Sequence, residues 1–191
     1  MKQIKYDEYH EFLQNRTLKS RFYREYWLYP ALCRHLKGRT LDVGPGIGDF
    51  VKFRPNTVGV DINPDNVAFC SNERGLDVRL MEIDKLPFEN SEFDSVNLDN
   101  VLEHIEEPIP LLDEIDRVLK TEGVFLIGVP GIHGFNSAPD HEIYYSKNDL
   151  INLITSRGYN LKKLFCMPFK CDWLFETRLK QYCYYGVFIK Q

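Results

Sequence analysis

The sequence predicts a doubly wound α/β domain, and three observations predict it. Short apolar strand-like runs alternate with helix-like runs from residue 39 to about residue 130, a glycine-rich turn closes the first of these strands, and a carboxylate closes the second. Apolar strands separated by helices require a parallel sheet covered on both faces.

Taken in order, residues 1–38 carry Tyr6, Tyr9, Phe12, Phe22, Tyr23, Tyr26, Trp27 and Tyr29 among Lys, Arg and Glu, at loosely helical spacing. This predicts an N-terminal helical cap of two short helices, whose aromatics either pack over one sheet edge or form a lid over a ligand. The core of residues 39–191 begins with strand Thr40-Leu41-Asp42-Val43, a helix from Gly48 to Lys52, strand Thr57 to Ile62 and a helix near Asn66 to Asn72. There follow strands near Asp77 to Glu82 and at Ser95 to Leu98, a helix near Ile109 to Leu119, and strand Val124 to Val129. A loop with Gly, His and Asn then runs to about Asp140. Ser146 is placed to cap a helix that Gly158 ends. Strands near Asn160 to Cys166 and Tyr182 to Ile189 complete the chain, with the Trp173 to Leu179 connection partly helical. No repeat or linker interrupts the 191 residues, so one domain is expected.

Composition removes several classes of function. Apolar residues make up 43% and charged residues 27%, the balance of a folded globular chain. Lys and Arg number 24 against 28 Asp and Glu, a net charge of −4, so no overall basic field attracts nucleic acid. No apolar run reaches bilayer length, and the polar start Met1 to Glu8 lacks the apolar segment of a signal peptide, so a cytoplasmic protein without membrane insertion is expected. Cys33, Cys70, Cys166, Cys171 and Cys183 are odd in number and form no CxxC pair, which favours reduced thiols over disulfides or a zinc site.

The ligand signals lie at the first two strand ends. Gly44, Gly46 and Gly48 alternate where a strand turns into a helix, so a ligand can approach the backbone. Asp61 ends the next strand, 17 positions after Gly44, beside the place where strand order reverses. A carboxylate there either takes both ribose hydroxyls or caps the helix opening at Asn63-Pro64-Asp65. A dinucleotide turn would read GxGxxG, whereas position 49 is Asp, unfavourable beside a pyrophosphate. A ligand carrying a sulfonium and an ammonium would instead tolerate or favour Asp42 or Asp49.

The segments Leu41-Asp42-Val43-Gly44-Pro45-Gly46-Ile47-Gly48, Gly59-Val60-Asp61-Ile62, Leu86 to Asp94 and Val101 to Pro108 resemble, in order and spacing, four motifs of the class I S-adenosylmethionine-dependent methyltransferases. The resemblance covers about residues 39–130, and more loosely Asp140-His141 to Tyr159. It implies S-adenosylmethionine as cofactor and a Rossmann-like seven-stranded sheet with an antiparallel last strand at Tyr184 to Lys190. It also implies that Gly44, Gly46 and Gly48 flank the methionine portion, that Asp61 with Ile62 holds the ribose, and that Glu82 with Ile83 faces the adenine. Glu82 stands where the family usually has Asp, and Asp84 is the alternative partner. Leu98, Asp99 and Asn100 would lie beside the sulfonium.

Methyl transfer asks mainly for alignment, with a general base where the acceptor is an alcohol. Of five histidines, His104, His133 and His141 fall on loops at the carboxyl ends of the strands. Glu103 and His104 follow the fourth strand, where an oriented imidazole would serve as base, or where His104 merely packs under a loop. His133, Asn136, Asp140 and His141 would form one wall of an acceptor pocket, or a solvated connection, with Tyr23, Tyr26 and Trp27 on the other side. Ubiquinone-type O-methyltransferases of similar sequence place two acidic residues and a histidine as metal ligands around this loop. The matching positions here are Asn100, Glu103 and His104, and Asn is a weak ligand for a hard cation, so no metal is expected.

The resulting expectation is O-methylation of a small-molecule acceptor, a sugar, nucleotide sugar or surface-glycan precursor in polysaccharide biosynthesis. A quinone or other aromatic hydroxyl is the enzymatic alternative. A cofactor-binding protein without catalysis is a third reading, and an NAD-dependent oxidoreductase a fourth.

Overall fold

The computed structural model describes residues 10–11, 13–169 and 178–191. Tyr6, Tyr9, Phe12, Cys171 and the connection from Trp173 through residue 177 lie outside the described residues. Seven strands form one sheet in the order β3-β2-β1-β4-β5-β7-β6. They are β1 Thr40–Val43, β2 Thr57–Asp61, β3 Val78–Leu80, β4 Phe93–Asp99, β5 Leu119–Pro130, β6 Tyr159–Met167 and β7 Cys183–Lys190. The first five pair in parallel, while β7 runs antiparallel to both β5 and β6, as the motif resemblance implies.

The order reverses between β1 and β4, so the chain leaves β2 toward one edge and β4 toward the other. The carboxyl ends of β1, β2 and β4 then meet around a crevice, the place where open α/β sheets take ligands.

Alternation along β5 assigns the two faces. Phe125, Ile127 and Val129 join Leu111, Leu112, Ile115 and Val118 of helix α5 (Ile109–Val118) and Leu150 and Ile154 of helix α7 (Lys147–Thr155) in one core. Val124 and Leu126 point the other way, to Leu28, Tyr29, Leu32 and Leu36 of the cap and to Tyr185 and Val187 of β7. A third cluster, Val51, Cys70 and Val78, seats helix α3 (Asp49–Phe53) and the turn after helix α4 (Pro64–Ala68).

The cap departs from the expected pair of helices over a sheet edge. Residues 10, 11, 13 and 14 are helical, then α1 (Leu18–Tyr23) passes through a π turn, Arg24–Leu28, into α2 (Tyr29–Cys33). This run covers a sheet face, because the apolar side of β5 and β7 needs a partner there. Its aromatics divide accordingly: Tyr29 is buried, whereas Phe22, Tyr26 and Trp27 are more than half exposed and are not core.

Other boundaries follow local chemistry. Asn63 caps α4 by accepting from the Asp65 amide at 2.9 Å. Ser146 and Asp149 form a reciprocal capping box on α7, and Gly158 stands at φ 84° after it. Strand β5 reaches back to Leu119, and the loop after it contains a short helix, α6 (Ile132–Phe135). No helix of the described residues is long and apolar enough to cross a membrane.

Candidate functional site

The crevice is floored by carboxylates. Asp42 on β1 is buried and accepts from Asn97 Nδ2 of β4, its register neighbour, at 2.7 Å. Burial pushes its carboxyl up to about 8, and the charges of Asp99 and Asp61 push the same way. Asp61 is 6% exposed and accepts from the Gly46 amide at 3.0 Å, the Asn63 amide at 2.8 Å and Asn66 Nδ2 at 3.2 Å. Burial raises its pKa against the pull of those donors. Asp61 therefore ties the glycine turn to the end of β2, while the helix cap is supplied by Asn63. Asp99, at the end of β4, accepts from Tyr185 Oη and from Asn100 Nδ2, each at 2.8 Å, and burial raises its pKa too.

The three glycines have different neighbours. All lie at positive φ, between 56° and 76°. A Cβ on Gly46 would stand 2.7 Å from Leu13 Cδ1, and one on Gly48 would stand 2.7 Å from Leu76 Cδ1 and 2.8 Å from Cys70 Sγ. Those two admit protein packing, including the cap residue Leu13, which lies across the turn. Gly44 alone of the three is exposed. Asp49 is paired with Arg74 at 2.7 Å and with Arg16 at 3.5 Å. Among the described residues this leaves Asp42 as the carboxylate of the first motif that no cation pairs.

Ile62 lies half-buried against the main core just past β2. Glu82 and Ile83 follow β3 in a turn where Glu82 bridges to Lys85, and both are exposed, as is Asp84. Leu98 is buried in the main core.

Three residues singled out in the sequence come together on the far side of Asp99. Glu103 and His104 lie on a 3-10 turn, Leu102–His104, and His141 lies after α6. The Glu103 carbonyl accepts from the Glu142 and Ile143 amides at 2.8 and 3.1 Å, which holds the two loops together. His141 Nε2 stands 3.9 Å from Glu103 Oε1, and the His104 and His141 rings are 4.7 Å apart between centroids. Burial pushes the Glu103 carboxyl up to about 8, with Asp99 and Asp140 adding to it, and lowers the pKa of His104 against the pull of Asp140. Phe135 stacks on His141, and Tyr144 packs on Phe135. Asn100 takes another course, with its carboxamide donating to Asp99 and accepting from Cys183 Sγ at 3.4 Å. His133 is half-buried and Asn136 exposed.

Sequence reasoning missed Arg24, Tyr185, Asn97 and Asn66. Burial works against the Arg24 charge, but Tyr29, Asp99 and Tyr185 around it move its pKa up and keep it charged. The available signal was Gly128 within an apolar strand: a Cβ there would stand 2.3 Å from the Tyr185 ring that reaches Asp99.

A seven-stranded sheet with this order and an antiparallel β7, a glycine turn after β1 and a carboxylate ending β2 make a Rossmann-like fold built to hold a ribose-bearing cofactor. Residues 41–127 match the family model described as "Methyltransferase domain". Residues 41–127 thus carry the pattern of a methyltransferase domain, the kind of domain whose cofactor is S-adenosylmethionine. An uncharacterized protein of Methanocaldococcus jannaschii is 40% identical over 100 residues, 52% of this chain and 48% of that one. An uncharacterized methyltransferase of Schizosaccharomyces pombe is 31% identical over 122 residues, 51% of this chain and 44% of that one. The chain spans about half the length of these curated relatives or less. A solved S-adenosylmethionine-dependent methyltransferase of Thermotoga maritima, described as a possible histamine N-methyltransferase, shares the fold with a TM-score of 0.74 at 17% identity. That match covers 97% of this chain and 100% of the other.

The crevice suits that cofactor on its own chemistry. The charges of Asp61 and Asp99 raise the pKa of the buried Asp42, so a cationic ligand relieves that repulsion and a pyrophosphate would worsen it.

Proposed function

We propose that the protein transfers the methyl group of S-adenosylmethionine to a hydroxyl of a small molecule, a sugar, nucleotide sugar or surface-glycan precursor. The observation that carries the reading is the set of three carboxylates at the ends of β1, β2 and β4, Asp42 and Asp61 buried and Asp99 half-buried, beside the exposed Gly44. When bound, the cofactor supplies an electrophilic methyl group on a sulfonium. Asp61, with Ile62 beside it, orients the ribose, the turn at Gly44 admits the methionine portion, and Glu82 with Ile83 borders the adenine. Asp42 and Asp99 favour the positive charge.

The Glu103, His104 and His141 cluster faces the acceptor and receives the hydroxyl proton as the oxygen bonds to the methyl carbon and the carbon–sulfur bond breaks. Its mixture of carboxylate, imidazole and the Phe135 face suits a sugar ring, which presents hydroxyls at its edge and C–H groups on its face. A nucleotide-sugar acceptor carries with it a cytoplasmic place in polysaccharide assembly. The stacked Phe135 and His141 rings favour one second reading, an aromatic hydroxyl acceptor.

Incubation with methyl-labelled S-adenosylmethionine and fractionated cell extract tests the proposal. Label in a nucleotide-sugar or glycan fraction is the expected result, and label in a lipid-soluble aromatic supports the second reading. Cofactor binding with no label anywhere overturns both and leaves a binding protein without catalysis.

A further inference from the structure

Glu103 is 1% exposed, and neither of its carboxylate oxygens accepts a hydrogen bond from another described residue. A carboxylate held this way is costly unless a cation meets it. Two imidazoles face it. His141 Nδ1 lies 2.9 Å from the Phe135 carbonyl oxygen, which can only accept, so Nδ1 carries the proton and Nε2 presents a lone pair. That Nε2, 3.9 Å from Glu103 Oε1, makes no hydrogen bond to it. His104 is held in the same way, with Nδ1 3.2 Å from the Asp140 carbonyl oxygen and 3.2 Å from the Asp140 carboxylate, which leaves Nε2 as its donor. One ligating atom from each of the three residues, a ring nitrogen of each histidine and a carboxylate oxygen of Glu103, lies within 4.8 Å of the other two.

Lone pairs gathered around one point repel unless a positive centre lies among them. We propose that Glu103, His104 and His141 hold one divalent first-row cation of the zinc or iron(II) kind. Two imidazoles and a carboxylate select such a cation over magnesium or calcium, which prefer oxygen ligands throughout. The two Nδ1 bonds to backbone carbonyls are the outer contacts that orient metal-binding histidines. Bonds of ~2.0–2.2 Å ask the side chains to close by roughly 1 Å. The set differs from the one the motif resemblance implies, since His141 replaces Asn100. The site stands on side-chain geometry alone. Its consequence rests on the methyl-transfer reading: with the cation bound, the cluster would act through it, an acceptor hydroxyl on the cation giving up its proton to solvent near neutral pH instead of to an imidazole.

The test is calorimetric titration of chelator-stripped protein with Zn²⁺, repeated with Co²⁺ under visible spectroscopy, for the wild type, Glu103→Gln and His141→Asn. S-adenosylmethionine binding is measured on the same samples. One equivalent bound by the wild type, weakened at least about tenfold in both variants and without a thiolate-to-cobalt charge-transfer band, is the expected result. No saturable binding by the wild type overturns the proposal, as does binding that both variants retain or that shows the thiolate band. A wild type that binds S-adenosylmethionine but no metal sinks this site alone, and one that binds metal but no S-adenosylmethionine sinks only the methyl-transfer reading.

Discussion

At Asp61 one carboxylate holds three protein donors. Its Oδ2 accepts from the Gly46 amide and Asn66 Nδ2 and its Oδ1 from the Asn63 amide, so Oδ1 is the oxygen placed to take a further donor. Asp61→Ala is expected to weaken S-adenosylmethionine binding by about 1–3 kcal/mol in calorimetry, and also to lower the melting temperature, because buried donors lose their acceptor. Asp61→Asn should spare more of the stability while still losing affinity; unchanged affinity in both variants would remove Asp61 from the ribose site. Asp42, like Asp61, titrates as a buried carboxyl. Its folded pKa, about 8, lies above the ordinary 3.8, so the folded state holds the proton more tightly. The stability tied to that proton is complete below about pH 4 and is lost as pH rises toward about 8. Asp42→Asn should therefore flatten the fall in melting temperature between about pH 5 and pH 8, and an unaltered pH profile would contradict the burial argument.

The glycine turn and the helix caps act at the scale of elements. Gly44 has φ 73°, and a Cβ there would stand 2.5 Å from Val101 Cγ2, so Gly44→Ala combines left-handed strain of roughly 1–2 kcal/mol with a displaced neighbour. A melting temperature equal to that of wild type would show that the turn relaxes freely. Ser146→Ala removes half of the capping box on α7 and should cost about 0.5–2 kcal/mol in denaturant unfolding, with little change in cofactor affinity. Both features were legible in the sequence because each is local: a glycine needed at positive φ, and a serine three positions before an acid. The cap was less legible. Its aromatics signal burial in general, but which face they cover depends on the apolar side of β5 and β7, more than 90 residues away in sequence.

For the whole molecule, strands β1, β2, β4 and β5 could be read from apolar runs, those of β1, β2 and β4 ending in Gly44, Asp61 and Asp99, because parallel strands buried on both faces leave little else to choose. The insertion of β7 between β5 and β6 rests on long-range pairing; the motif resemblance implied an antiparallel last strand but not its place in the order. The candidate site divides in the same way. Asp42, Asp61 and the turn announce themselves by spacing, whereas the meeting of Glu103 and His104 with His141 depends on backbone bonds from Glu142 and Ile143 to Glu103. Arg24, Tyr185, Asn97 and Asn66 gave no pattern of their own, since each acts through a neighbour on a different strand or helix.

On the proposed reading, the carboxylates of Asp42, Asp61 and Asp99 would make a bound cationic cofactor stabilising for the whole fold. Saturating S-adenosylmethionine at about 100 times its dissociation constant should add roughly 2.7 kcal/mol to stability. The measurement that bears most directly on the account is calorimetric titration of the wild-type protein with S-adenosylmethionine and, separately, with NAD at neutral pH. Saturable binding of one S-adenosylmethionine per chain, with no heat from NAD, is the predicted result. Binding of NAD, or no saturable binding of S-adenosylmethionine, would contradict the reading of the crevice.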